Sequence, residues 1–200
     1  MTVPAVVAIP IRSFDDAKTR LAGVLSAADR RRLAEAMAER VVRAAHDLPV
    51  FIISDDADVA RWASRLGVDV VAPGVSGLNA SVTAAVSLLA ADLAPDARII
   101  VAHADLPRAD DLRVVTGAGV AIAPDAARDG SNVLSLPAGT EFTFRYGPGS
   151  FEAHRREAAD RGLEVTVVDE EALALDVDDP ADLAALAAAD DPDPRPRRRG

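Results

Sequence analysis

A three-layer α/β fold built on a mostly parallel sheet is predicted for this 200-residue chain by three features. Apolar runs rich in Val and Ile alternate with segments of helical period, and the connections between them are short. The first of those runs is also apolar at consecutive rather than alternate positions, as strands covered on both faces are. Half of the residues are hydrophobic, enough for one large core. A single domain over residues 1–190 is therefore expected, with a disordered basic tail over 191–200.

The elements follow in order. VPAVVAIPI, from Val3 to Ile11, reads as a buried strand. Ser26 then caps a helix to about Leu48, in which Leu33, Met37, Val41, Ala44 and Leu48 line one face. VFIIS from Val50 is a second strand, Asp56 to Leu66 a helix closed by Gly67, and VDVVAP a third strand. GVSGLNA leads into a helix from about Asn79 to Leu93, and ARIIVAHADLP is a fourth strand ending in an acid. Further strands are expected at VAIAP from Val120, NVLSL from Asn132 and LEVTVV from Leu163, with a helix from Ser150 to Arg161 stopped by Gly162. A short apolar strand, LALDV, precedes a helix that Pro180 opens at its first position.

Composition narrows the function classes. There is no cysteine, so neither a disulfide nor a thiolate metal site exists. A net charge of -10 argues against nucleic acid as a partner, since a phosphate backbone is attracted by clustered Lys and Arg. The Pro- and Arg-rich end, PDPRPRRRG, reads as a solvated terminus. No apolar run is long enough to cross a bilayer, and the first residues lack the pattern of a secretory signal, so a soluble cytoplasmic protein is expected. A homo-oligomer stays open.

Sheets of this kind bind ligands beyond the carboxyl ends of their strands, which directs attention to the residues just after each apolar run. After the first strand, neither a dinucleotide glycine fingerprint nor a Gly-Lys-Ser loop is present; Arg12, Lys18 and Arg20 suit a polyanion such as a triphosphate instead. After the third, Gly74, Gly77 and Asn79 stand ahead of a helix, where free backbone N–H groups favour negative charge. Asp105 leaves a buried run directly, and near the end Asp176 repeats that arrangement, with Asp178 two residues on and Asp179 as a helix cap. Two strand-end acids brought together are the minimum for Mg²⁺, which completes its shell with water and substrate phosphates. Like charges about 4 Å apart repel by roughly 4 kcal/mol at an effective dielectric near 20, so a phosphate beside these acids calls for a divalent ion. In the absence of phosphate chemistry, a salt bridge to Lys or Arg would serve the acids equally.

A cluster of Phe142, Phe144, Tyr146 and Phe151 lies among glycines and hydroxyls in GSNVLSLPAGTEFTFRYGPGSFEAH. The rings read as rigid core. Around them Gly147, Ser150 as a helix cap, and the turn at Gly130 and Ser131 offer an anion seat.

Six blocks, IPIRSFDDAKTRLA, SGLNA, HADLP, PDAARDGSNVL, FRYGPGSFEAH and DVDDPADL, resemble in order the guanylyltransferases of coenzyme F-420 biosynthesis, which act on phosphoenolpyruvate or 2-phospho-L-lactate. The resemblance implies a nucleotidyltransferase-like fold of the nucleotide-diphospho-sugar transferase type. It also implies that a three-carbon phospho-acid attacks the α-phosphate of GTP and releases pyrophosphate. By motif, Asp105 and Asp176 would be the Mg²⁺ ligands with Asp178 nearby, and Ser131, Gly147 and Ser150 would hold the acid. Lys18 and Arg20 would face the nucleotide phosphates, with Gly77 and Asn79 near the nucleoside. Ser131 stands where the family often has Thr, which keeps the hydroxyl and loses a methyl that shapes the pocket; Arg12 where Lys is frequent and Thr19 for Ser are mild changes, and Asp179 for Thr keeps a helix cap. Phosphoenolpyruvate is the expected acceptor and 2-phospho-L-lactate the alternative. The competing readings are another nucleotidyltransferase, making a sugar-nucleotide or a molybdenum-cofactor dinucleotide, and a non-catalytic module that binds a phosphometabolite or a partner protein.

Overall fold

A computed structural model describes residues 5–189; the basic tail at 191–200 and the first two residues of the expected opening strand lie outside them. Seven strands form one sheet: β1 (Ala5–Pro10), β2 (Val50–Ile53), β3 (Asp69–Val71), β4 (Arg98–Ala102), β5 (Val120–Pro124), β6 (Ser131–Pro137) and β7 (Val165–Val167). Their order is β3-β2-β1-β4-β6-β5-β7, parallel at every pairing except those of β6, which runs antiparallel to both β4 and β5. The mostly parallel three-layer expectation is met.

Successive residues of β1 explain the layering. Val7 and Ile9 join a core that includes Ala38 and Val41 of α1 (Ala27–Ala44) and Val59 and Trp62 of α2 (Ala57–Leu66). Val6 and Ala8 join the opposite core, with Val82 and Leu89 of α3 (Leu78–Ala90) and Phe151 and Ala158 of α4 (Ser150–Asp160). Because side chains alternate across a strand, covering both faces needs an apolar residue at each of these positions.

The caps follow local chemistry. Ser26 accepts from the Asp29 N–H, Asp56 accepts from those of Asp58 and Val59, and Gly67 closes α2 at a φ of 69°. Helix α1 ends earlier than expected, at Ala44, because His46 turns left-handed with a φ of 55°.

Three local expectations are corrected. The LALDV run is not a strand: Glu171–Ala174 forms a single turn, α5, with Leu173 buried and the Asn132 amide donating to the carbonyls of Leu173 and Ala174. Ser150 is not the cap of α4; Gly149, at a φ of 72°, holds that place, and Ser150 is the first helical residue. Ser131 lies in β6 rather than in a turn, because Asp125 accepts the Asp129 and Gly130 N–H groups and closes a tight hairpin between β5 and β6.

That hairpin positions the site. It makes β6 antiparallel, so the start of β6 lies beside the carboxyl end of β4, where the His103 N–H donates to the Asn132 carbonyl at 2.9 Å. A third, smaller core of Leu21, Met37 and Val177 packs with Leu183 and Leu186 of α6 (Pro180–Ala189). It fastens the loop after β1 to the segment carrying Asp176 and Asp178.

Candidate active site

A cavity of about 870 Å³ opens beyond the carboxyl ends of β1, β2 and β4, within the size range of sites for small ligands. Arg12, Ser13 and Lys18 line it from the loop after β1, Ser54 and Asp55 from beyond β2, and Ser76, Gly77 and Ser81 from around the start of α3. His103 and Asp105 line it beyond β4, and Asp178 reaches in from the segment before α6.

The expected acids meet. Asp105, Asp176 and Asp178 each offer a carboxylate oxygen within 4.8 Å of the others. The Val177 N–H donating to the Asp105 carbonyl holds the two segments together. Asp178 and Asp179 are fixed by their N–H groups on Asp182, and Asp179 caps α6 by accepting from Ala181 and Asp182.

Lys18 lies among these acids. Its ammonium is 2.5 Å from Asp105 and 2.9 Å from Asp178, and its side chain is only 8% exposed. The backbone of Lys18 is left-handed, at φ 55° and ψ 38°, a conformation uncommon outside glycine and concentrated at functional positions. Arg20 stands further out, 3.8 Å from Asp178 and three-quarters exposed.

Electrostatics separate the acids. Burial pushes the Asp176 carboxyl above its ordinary value, and repulsion from Asp105 and then Asp178 adds to this. Burial acts the same way on Asp105, but the Lys18 ammonium first and His103 next outweigh it and hold that carboxyl low. Burial likewise opposes the charge on Lys18, and attraction to Asp105 and then Asp178 raises it overall.

Three hard oxygen donors from carboxylates fit a small divalent cation, and Asp105 keeps one oxygen, Oδ1, buried without a hydrogen-bond partner. The residues present therefore fit a metal of the magnesium class.

The hydroxyl side of the expected site is differently organised. Ser150 Oγ accepts the Ser131 N–H at 3.0 Å, and Ser131 Oγ pairs with His154 Nδ1 at 2.9 Å. His154 is fully buried among Phe142, Phe144 and Tyr146, and its Nε2 accepts the Arg145 N–H. The aromatic cluster is core, as expected. Gly147, at a φ of 128°, is exposed at the turn before α4. Asn79, in the first turn of α3, has both ends of its amide on the Tyr146 backbone, at 3.1 and 2.6 Å. Ser131, Gly147, Ser150 and Asn79 thus form a strap tied to α3, whereas Lys18, Gly77, Asp105 and Asp178 line the cavity itself.

His103 is a further cavity-lining residue, one that the sequence reading did not single out. It directly follows the last residue of β4, two residues before Asp105, and lines the cavity with it.

The family model described as "Guanylyl transferase CofC like" matches residues 5–190. This chain belongs to the CofC-like guanylyl transferase family. The phosphoenolpyruvate guanylyltransferase of Roseiflexus castenholzii is 37% identical over 185 residues, 90% of this chain and 86% of that relative. The 2-phospho-L-lactate guanylyltransferase of Methanothermobacter thermautotrophicus is 35% identical, over 89% of this chain and 82% of its own. The 3-phospho-D-glycerate guanylyltransferase of Phenylobacterium zucineum is 33% identical, over 90% and 88%. Among solved structures, a 4-diphosphocytidyl-2C-methyl-D-erythritol synthase superposes with a TM-score of 0.63 at 13% identity, covering 96% of this chain and all of the other. That likeness concerns the fold, and it bears out the nucleotidyltransferase-like α/β expectation. In this family member Asp105 and Asp178 line the cavity together with Lys18, beyond the carboxyl ends of the strands. No helix among the described residues is long and apolar enough to cross a membrane.

Proposed function

We propose that this protein transfers GMP from GTP to a three-carbon phospho-acid, phosphoenolpyruvate before 2-phospho-L-lactate, and releases pyrophosphate as a cytoplasmic step of coenzyme F-420 biosynthesis. The observation that carries this reading is the meeting of Asp105, Asp176 and Asp178, with Lys18 on the two of them that line the cavity, in a chain of the guanylyl transferase family. Its relatives include phosphoenolpyruvate guanylyltransferases at 37% and 36% identity.

Asp105 and Asp176, with Asp178, would hold Mg²⁺, which when bound offsets charge on the phosphates and on the leaving pyrophosphate. GTP enters along the loop after β1 and the start of α3, where Gly77 presents backbone and the first turn of α3 favours phosphate. Lys18 and Arg20 neutralise the β- and γ-phosphates. The acid enters from the β6 side, along the strap of Ser131, Gly147 and Ser150.

A phosphate oxygen of the acid attacks the α-phosphorus of GTP, forming a new P–O bond as the bond to the bridging oxygen of pyrophosphate breaks. The attacking oxygen is already ionised, so no general base is required. Catalysis then consists of positioning and charge stabilisation. The whole reaction belongs to one nucleotidyltransferase domain over residues 1–190.

Lys18 lying on two of the acids also favours a second reading, a module that binds a phosphometabolite without turning it over. A panel of four nucleoside triphosphates against phosphoenolpyruvate, 2-phospho-L-lactate and 3-phospho-D-glycerate, scored by pyrophosphate release, separates the two. Turnover with GTP and phosphoenolpyruvate above every other pair is expected. Binding of GTP without release in any combination would favour the module instead.

A further inference from the structure

Two buried polar atoms near the carboxyl end of β4 have no hydrogen-bond partner: His103 Nε2 and Tyr146 Oη. Their rings pack at 5.1 Å between centroids. Buried polar groups are normally paired, and each exception calls for a reason. Neither ring is loosely held. The His103 N–H is fixed to β6 through the Asn132 carbonyl, and the Asn79 amide grips the Tyr146 backbone from both sides.

Their place points to an anion. His103 lines the cavity beside Asp105, and a phospho-acid approaching three carboxylates needs donors to hold it there. Lys18 is committed to Asp105 and Asp178, and Arg20 stands outside in solvent. The Ser131 and Ser150 hydroxyls already pair with His154 and with the Ser131 N–H. Burial raises the Tyr146 phenol well above its ordinary range, so it remains a donor.

We propose that His103 Nε2 and Tyr146 Oη donate hydrogen bonds to the anionic oxygens of the acceptor acid and set its orientation beside Asp105. This rests on the guanylyltransferase reading above. The acceptor is favoured over GTP because His103 forms the β4 border of the cavity, adjoining β6 and the strap. The loops that suit a triphosphate, around Lys18 and Gly77, lie along its β1 and α3 borders.

The test measures KM and kcat for phosphoenolpyruvate and for GTP in the magnesium-loaded enzyme, together with calorimetric binding of phosphoenolpyruvate and the melting temperature. His103→Ala is expected to raise the KM for phosphoenolpyruvate about tenfold or more, the usual loss when a hydrogen bond to a charged group is removed, with the GTP KM nearly unchanged. His103→Gln keeps an N–H donor and should recover most of that loss. Tyr146→Phe should weaken the acid without lowering the melting temperature, because it deletes a hydroxyl that no protein group satisfies. An unchanged acceptor KM in folded His103→Ala, an equal rise in both KM values, or a Gln variant no better than Ala would overturn the proposal. If the wild type turns over no acceptor, the guanylyltransferase reading falls on its own. Calorimetry then decides the present proposal, which is overturned if the wild type and His103→Ala bind phosphoenolpyruvate alike.

Discussion

Lys18 and Asp105, 87 residues apart in sequence, form a 2.5 Å ion pair, and the same ammonium reaches Asp178 at 2.9 Å, so a cation bound by these acids would meet its charge. Lys18 is thus the counterion of two of the acids proposed to hold the metal, and the triphosphate offers it an alternative partner.

Replacing Lys18 by Met therefore has two opposed effects. Affinity for Mn²⁺ without GTP should rise about tenfold or more, since a competing charge a few ångströms away is removed. Turnover should fall by about 100-fold or more, as when one charge-stabilising group of a transition state is lost. Calorimetric Mn²⁺ titration and pyrophosphate release read the two effects, and an unchanged metal affinity would show that Lys18 does not compete.

Asn79 joins the first turn of α3 to the Tyr146 backbone through both ends of its amide. Asn79→Ala leaves a buried N–H and C=O without that partner and should lower stability by about 1–3 kcal/mol. Because the strap is displaced rather than the nucleotide loop, the acceptor KM should rise more than the GTP KM. Urea unfolding and steady-state kinetics check both effects.

His154 gives stability a pH dependence. Burial first, and the charge of His103 next, hold its imidazole down to about 4 from an ordinary 6.5. The folded protein thus binds fewer protons than the unfolded chain between those values. Its contribution is fully present above about pH 6.5 and is lost as the pH falls toward 4, on the order of 3 kcal/mol in all. Unfolding midpoints measured from pH 7.5 to 4.5 should decline in the wild type and decline less in His154→Gln.

The layers, most helix starts and the acid beyond β4 were legible because each has a local cause. A strand buried on both faces must be apolar at every position, as Val6 to Ile9 are, and Ser26 and Asp56 carry their own caps. The convergence of Asp105 with Asp176 was legible only as an expectation, since it depends on β4 and the segment before α6 ending at the same edge. The reversal of β6 depends on Asp125 gripping two N–H groups across a hairpin, and no periodicity records strand direction. For LALDV, the apolar run reads as a strand, but burial of Leu173 and the Asn132 amide favour one helical turn. The partners of Ser131, Ser150 and Asn79 are long-range contacts, so their commitment to the strap had no local signal.

The most direct test of the central claim compares Asp105→Asn and Asp176→Asn for Mn²⁺ affinity and for metal-dependent pyrophosphate release from GTP and phosphoenolpyruvate. One cation held by both acids requires each variant to lose binding and turnover together, by about 100-fold or more, while circular dichroism stays that of the wild type. Full metal-dependent release by either folded variant would contradict the shared site.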